Sequence, residues 1–450
     1  MTYKEALKYL DSLIDYEKID SYDYKESVKL ERMNNFIERL GNPHLDLNCI
    51  HIAGTKGKGS TSAMVASVLK EAGYKVGLYT SPHLISFRER IRINDELISE
   101  EDLSRILEDK ISPVIENIDK ESDDYPTFFE VYTALAFSYF KEKKVDFCVL
   151  EVGMGGRLDA TNVIKKPFCC GITQISYEHT QKLGNTLEEI AAQKAGIIKD
   201  DNICISSIQE DSVLNIIRKV CGERNTRLYE VGSDLYFKEE RLERDPGSKP
   251  VFSVTGILNE YPSLELGLLG RHQFINATTA IGLIESLRFY DIIIRDEAVK
   301  QGLKNVQWPG RLQIIQRDPC MVLDGAQNRA SARALREAVR DFFTYKKLIL
   351  VLGISKDKDI KGICGELEPV SDEIILTKAD LPRAEEPGVL KGFIEKKTTL
   401  TSSVQEAINI AKDMARPSDL ILVTGSLFVV GEVLKKYDNI LNHSEITCQR

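Results

Sequence analysis

The chain has 450 residues, 42% of them hydrophobic and 29% charged, proportions of a globular protein rather than a disordered or low-complexity one. At about 100–200 residues per domain, the length predicts two or three domains. A net charge of −9, from 60 basic and 69 acidic residues, argues against a nucleic-acid partner such as duplex DNA but leaves room for a nucleotide in a local site.

Taken in chain order, the N-terminal MTYKEALKYLDSLIDYEKID is charged throughout and lacks the apolar core of a signal peptide. LNCIHIAG, around residues 47–54, is an apolar strand-like run. A glycine-rich stretch follows, and SAMVASVLKEAG then has helical periodicity. KVGLYTS at 75–81 is the next strand, FFEVYTALAFSYFKEK a helix, VDFCVLEVG at 145–153 a strand and FCCGITQIS at 168–176 another. TLEEIAAQKAGIIK reads as a helix with a threonine cap and early acids that suit its dipole. Repeated strand–helix–strand units predict an α/β fold with a parallel sheet and helices on both faces.

Residues 231–268 break this rhythm with short extended segments, a β excursion late in the first domain. Helices are expected at about 272–287 and 294–303, and NVQWPGRLQ, with Pro309 and Gly310, reads as a linker. The pattern restarts in CMVLDGA, KLILVLG, EIILTKA and LILVTGS, a smaller doubly wound domain. The boundaries expected are 1–303, a linker at 304–312, and 313–450. No apolar run is long enough to span a membrane. The nine cysteines (Cys49, Cys148, Cys169, Cys170, Cys204, Cys221, Cys320, Cys364 and Cys448) show no C-x-x-C spacing and mostly sit in apolar runs. They read as buried free thiols of a reducing compartment, the cytoplasm.

Five features could carry chemistry. Gly54-Thr55-Lys56-Gly57-Lys58-Gly59-Ser60-Thr61 lies between a strand and a helix. A glycine-rich turn lets backbone N–H groups approach phosphates, the helix N-terminus favours anions, and a lysine adds a mobile charge. The strict G-x-x-x-x-G-K-[ST] spacing is not met, because Gly59 separates Lys58 from Ser60. The plainer alternative is a glycine-rich turn with exposed lysines. Glu151 ends an apolar strand, where open parallel sheets bind ligands, and one carboxylate there suits Mg²⁺; a loop-capping acid is the alternative. His179 is a candidate metal ligand or base, or else a surface histidine. Lys194 lies on an alanine- and isoleucine-rich helix, where a solvated lysine is the default. Asp324-Gly-Ala-Gln327-Asn328 and Thr424-Gly425-Ser426 put small polar groups at strand ends of the second domain.

Together these motifs, with LGNPH, LYTSPHLISFRERI, PTFFE, GRHQFINA, WPGRLQ, KDKD and VTGSLF, resemble the folylpolyglutamate synthase and dihydrofolate synthase family of the Mur ligase superfamily over nearly the whole chain. The resemblance implies an N-terminal P-loop-ATPase-like central domain with a parallel sheet and a smaller Rossmann-like C-terminal domain. It also implies the reaction. ATP phosphorylates a pterin-linked carboxylate, and the amino group of L-glutamate attacks the acyl phosphate. A carboxylate is a poor acyl donor until one oxygen becomes phosphate, and phosphoryl transfer needs mainly positioning and charge neutralisation.

Carried onto this sequence, the resemblance assigns catalytic work to Lys58, His179 and Lys194. It assigns ATP to Thr55, Gly57, Lys58, Gly59, Ser60 and Thr61, with Asn276 on the adenine side, Arg311 at the phosphates and Asp324 as a contact from the second domain. Ser81, Glu151 and His179 match metal positions for one Mg²⁺ or two, with K⁺ a further candidate ion. Lys194 matches a lysine that is carbamylated in these ligases. Substrate contacts fall on Ser81, Arg90, Phe128, Gln327, Lys358 and Ser426, with packing of Phe128 in the core an equal alternative. The partners implied are ATP, L-glutamate and folate or dihydropteroate, handled by a monomer.

Three positions depart from the family pattern: Lys56 replaces a common Asn, Glu178 the usual Asp, and Gln327 the usual His. Glutamine hydrogen-bonds but cannot become a cation near neutral pH, so the amino-acid substrate is in question. A related ligase with another acceptor or amino acid is one alternative. A nucleotide-binding paralogue without turnover is another, against which Lys58, Glu151, His179 and Lys194 argue.

Overall fold

A computed structural model describes residues 1–17, 19, 22–245 and 248–444. Its first domain is built on strands β1 (Cys49–Ala53), β2 (Val76–Tyr79), β3 (Ile91–Ile93), β4 (Glu96–Leu97), β5 (Phe147–Glu151), β6 (Cys169–Ile172), β7 (Ile203–Ser206) and β8 (Arg227–Glu230). They form one sheet in the order β4-β3-β2-β5-β1-β6-β7-β8. All pairings from β2 to β8 are parallel, and the β3–β4 hairpin adds an antiparallel edge.

β1 is buried throughout at the centre of this sheet, which is why CIHIA reads as a continuous apolar run rather than an alternating one. Ile50 and Ile52 pack with Met64, Val65 and Val68 of the helix Lys58–Glu71 and with Phe274 and Ile281 of the helix His272–Ser286. The opposite face packs against the helix Phe128–Lys143 through Phe137 and Phe140. That helix starts at a capping box in which Thr127 accepts from Glu130 N and the Glu130 carboxylate accepts from Thr127 N at 2.7 Å. Glu130 is also ion-paired to Arg32 at 2.8 Å, with both side chains buried, and this ties down the helix Leu30–Arg39.

The β excursion of residues 231–268 contains a separate antiparallel sheet, β11-β10-β9, made of β9 (Tyr236–Arg241), β10 (Val251–Thr255) and β11 (Glu260–Glu265). Glu285, from the helix behind it, accepts from Asn259 N at 2.9 Å and the Tyr261 hydroxyl at 3.1 Å. The helix Asp296–Asn305 runs two residues into the linker expected from 304, so the connection is shorter than its sequence suggests.

The second sheet holds β12 (Gln313–Arg317), β13 (Cys320–Leu323), β14 (Leu348–Leu352), β15 (Glu373–Leu376), β16 (Thr398–Leu400) and β17 (Leu420–Thr424) in the order β12-β13-β17-β14-β15-β16. Only β12 is antiparallel. Alternate residues of β14 serve the two faces. Leu350 packs with Leu335 and Val339 of the helix Arg329–Phe342, and Ile349 with Ala407 and Val430 on the other side.

Among the described residues no helix is long and apolar enough to cross a membrane. The eight described cysteines are free and buried; Cys448 and the end of the expected second domain, 445–450, lie outside the described residues.

Candidate active site

The carboxyl ends of β1 and β5 open onto a cleft against the second domain. Gly59, Ser81, Glu151, Trp308, Arg311 and Leu427 stand on its walls. Residues from both domains and from the linker therefore share it.

On the first-domain side, the loop after β1 is held by Thr55 N and Lys56 N, which both donate to Gln174 O at 3.0 Å. Gly57 caps the helix Lys58–Glu71 in the left-handed region, φ +88°, and a Cβ there would fall 2.2 Å from Asn276 Oδ1. No other residue fits without moving Asn276. Asn276 is buried and donates to Gln273 Oε1 at 2.9 Å, and Gln273 Nε2 reaches Ser60 Oγ at 3.4 Å. Thr55 Oγ1 donates to Ser176 O at 3.1 Å, and the buried Thr61 hydroxyl has no partner in the protein.

Two lysines converge on one carbonyl: Lys58 Nζ donates to Gly54 O at 3.1 Å and Lys194 Nζ to the same oxygen at 2.8 Å. Lys194, on the helix Leu187–Ala195, is buried. Burial, reinforced by Lys58 and Lys56 against the opposing Glu178, brings its amine down to about 7. The solvated-lysine alternative therefore does not describe Lys194.

Glu151 is also buried, and Ser81 N donates to its Oε2 at 3.2 Å. Burial pushes its carboxyl up, against the pull of Lys58 and Arg311. His179 follows β6 in the left-handed region, φ 52°, ahead of the short helix Thr180–Leu183. The side chain is exposed, as the surface-histidine alternative has it; desolvation by its neighbours, opposed by Glu178 and aided by Lys358 and Lys194, still lowers its imidazole to about 4. It is neutral at pH 7, the form that binds metals. Among the described residues, no three His, Cys, Asp or Glu side chains gather as a metal cluster. Mg²⁺ asks for less, since it is held by one or two carboxylates together with phosphate and water, and Glu151 beside Ser81 fits that demand.

From the linker and second domain, Arg311 donates to Gly310 O at 3.1 Å. Asp324 accepts from Leu312 N at 3.0 Å and Ala326 N at 2.9 Å. Burial raises its carboxyl, with Arg311 opposing. Gln327 is half-buried, its backbone N–H donating to Ser331 Oγ at 3.2 Å. Lys358 pairs with Asp357 at 2.8 Å. Ser426 is buried and accepts from Phe428 N at 3.2 Å, beside a smaller cavity that also meets Ser355 and Arg383.

Two expected substrate residues stand differently. Phe128 is 1% exposed and belongs to the core, in ring contact with Phe87 and Tyr132. Arg90 is 2% exposed and is held by Glu17 through a bidentate pair at 2.8 and 2.6 Å, with its Nε donating to His83 Nδ1 at 3.0 Å and Phe128 5.3 Å from the guanidinium carbon. An internal carboxylate thus pairs with Arg90, and Phe128 packs in the core.

Two further residues of the cleft have no sequence-level assignment. The Trp308 ring lies 3.0 Å from where a Gly59 Cβ would be, and Arg92 stands over that ring at 5.3 Å. WPGRLQ reads as linker punctuation and, by resemblance, as the source of Arg311, and neither reading marks its tryptophan as a wall of the phosphate loop.

Comparison with known proteins agrees with this architecture. A Mur ligase middle domain matches residues 52–284, and a Mur ligase glutamate ligase domain matches residues 310–427. The fold and the cleft between its two domains are thus those of a Mur ligase. A Bacillus subtilis dihydrofolate synthase/folylpolyglutamate synthase is 36% identical over 412 residues, 90% of this chain and 94% of that one. A Mycobacterium tuberculosis folylpolyglutamate synthase complexed with ADP and AMPPCP superposes with a TM-score of 0.84 at 32% identity, covering 92% of this chain and 96% of that one. E. coli FolC in complex with DHPP and ADP gives 0.84 at 28% identity, covering 98% of both chains. The chain belongs to the folylpolyglutamate synthase/dihydrofolate synthase family.

Proposed function

We propose that the interdomain cleft binds ATP along the 54–61 loop and joins L-glutamate to a folate, with dihydropteroate as a second acceptor. The enzyme is an acid–amino-acid ligase forming a C–N bond through an acyl phosphate. The observation that carries the division of labour is the convergence of Lys58 and Lys194 on Gly54 O, one strand from the buried Glu151.

Lys58 and the N–H groups of Gly57, Gly59, Ser60 and Thr61 neutralise the phosphates, Thr55 shapes the loop, and Asn276 borders the adenine side. Arg311 and Asp324 bring the linker and the second domain to the same nucleotide. Glu151 and Ser81 would hold Mg²⁺ with the phosphates, and His179 offers a neutral nitrogen for a second ion; the metal would polarise the transferred phosphoryl group. An amine titrating near 7 is unprotonated in good part at neutral pH, the form that reacts with CO₂, and this supports carbamylation of Lys194. Gln327, Lys358 and Ser426 would meet glutamate, as the family resemblance implies. A chain that builds the cleft alone is expected to act as a monomer, and its buried free thiols favour a reducing compartment, the cytoplasm.

The test is ADP release with Mg-ATP, comparing tetrahydrofolate and dihydropteroate, each with and without L-glutamate, with product masses recorded and K⁺ varied. Glutamate-dependent turnover adding one glutamyl unit is expected. Absence of coupled turnover with either pterin would overturn the reading. Gln327 favours one alternative, the same ligation with another amino acid, for which the same assay with an amino-acid panel decides.

A further inference from the structure

The phosphate loop and the second domain meet through one carboxylate. Glu178 Oε1 accepts from Lys56 Nζ at 3.0 Å and from Asn328 Nδ2 at 3.3 Å. Lys56 belongs to the loop that faces ATP, while Asn328 opens the helix Arg329–Phe342 of the other domain. The Asn328 amide is oriented independently. Its Oδ1 accepts from Ser331 N at 2.9 Å as a helix cap, and this turns Nδ2 toward Glu178. Lys56 and Glu178 side chains are 27% and 20% exposed. The pair is thus shielded by the cleft walls, where charge-assisted bonds keep their direction and strength better than on an open surface.

By the family resemblance Glu178 stands where Asp is usual and Lys56 where Asn is common, although a Lys variant of the loop also fits the family pattern. Each is longer than the residue it replaces, and the two extensions meet. They are partners rather than separate departures.

We propose that Glu178 is a positioning residue that clamps Lys56 of the phosphate loop to Asn328 of the second domain, so that the loop and the closing domain move together. The inference rests on the ligase reading above. Its consequence lies in the second half of the reaction. The glutamate amine can attack the acyl carbon of the acyl phosphate, so that the C–N bond forms, the C–O bond to phosphate breaks, and inorganic phosphate and a proton leave. Water can attack instead, releasing inorganic phosphate and regenerating the carboxylate, which wastes ATP. A clamp that keeps the cleft closed favours the amine by excluding water.

The experiment compares wild type with E178Q, E178A, K56N and the double variant K56N/E178D. The first readout is phosphate released per glutamyl bond formed. The second is amide hydrogen exchange at residues 325–331 in the ligand-free protein, which needs no turnover. For E178Q and E178A, exchange about tenfold faster is expected, the scale of one lost charge-assisted bond, together with a raised phosphate-to-product ratio. K56N should behave like E178Q, and the double variant, whose two shorter side chains leave a gap between positions 56 and 178, should be no better coupled than either single change. Wild-type exchange in both E178Q and E178A would overturn the clamp, whether or not the ligase assay succeeds. So would a K56N variant that weakens ATP binding while leaving exchange and coupling untouched, since Lys56 would then serve the nucleotide directly. Failure of wild-type turnover in the first assay, with faster exchange in E178Q, would instead count against the ligase reading alone.

Discussion

The two walls of the cleft are made differently. The first-domain wall buries its charges: Glu151 and Lys194 are both nearly inaccessible, and their titration is displaced in opposite senses by the same desolvation. The second-domain wall offers a carboxylate already satisfied by two backbone N–H groups, a buried serine, and a lysine paired with its neighbour. Buried charge is costly and is found where charge develops during a reaction. Satisfied polar groups on a separate domain are suited to holding a substrate in place. The comparison therefore divides the cleft into a wall for phosphoryl chemistry and a wall for orientation. Substitutions on the first should depress kcat, and those on the second should mainly raise KM.

The largest effect is expected for Lys58→Ala. Loss of the mobile cation at the phosphates should lower kcat by about 10³-fold or more, with the circular dichroism spectrum retained. Activity near wild type would remove the phosphate-loop assignment and the division of the walls with it. Next comes Lys194→Ala, expected to lose about 10²-fold and to recover in part with short carboxylates, which replace a missing anion but not a missing cation. Full activity without rescue would remove the carbamate.

A stability measurement isolates the burial of Lys194. Its folded value near 7 lies below the ordinary 10.5. Between those values the unfolded chain binds more protons than the folded one, so this group makes stability rise with pH over that window. Lys194→Met should raise Tm at pH 7 and flatten the rise toward pH 10. An unchanged slope would mean that the amine is solvated.

Much of this arrangement is legible in the sequence, for local reasons. The strand–glycine–helix order around Gly57 and the cap at Thr186 are patterns within a few residues, and the helix Leu187–Ala195 begins directly after its cap. The short strands β3, β4, β8 and β16 escape, because two to four half-polar residues at or beside a sheet edge carry little periodicity. Arg90 is harder still. Its motif suggests a cation open to substrate, yet the partner that closes it, Glu17, is 73 residues earlier. The Lys56–Glu178 pair spans 122 residues, and no local pattern announces such a contact.

On the second wall, Ser426→Ala should raise KM for glutamate by about three- to tenfold, the scale of one hydrogen bond, with kcat little changed. A fall in kcat with KM unchanged would move Ser426 to the chemistry and erase the distinction between the walls.

The smallest and most informative change is Gln327→His. Gln327 stands at the cleft end of β13, where the family pattern has a group able to become cationic. A histidine there would be protonated in good part near pH 6 and largely neutral by pH 8. If the second wall only orients glutamate, the added charge should lower KM for glutamate by a few-fold at pH 6, fade by pH 8, and leave kcat alone. A rise in kcat at both pH values would mean that this position takes part in acyl transfer and that glutamine slows the natural enzyme. An improvement for glutamate accompanied by loss of turnover with another amino acid would instead make Gln327 the residue that sets the substrate.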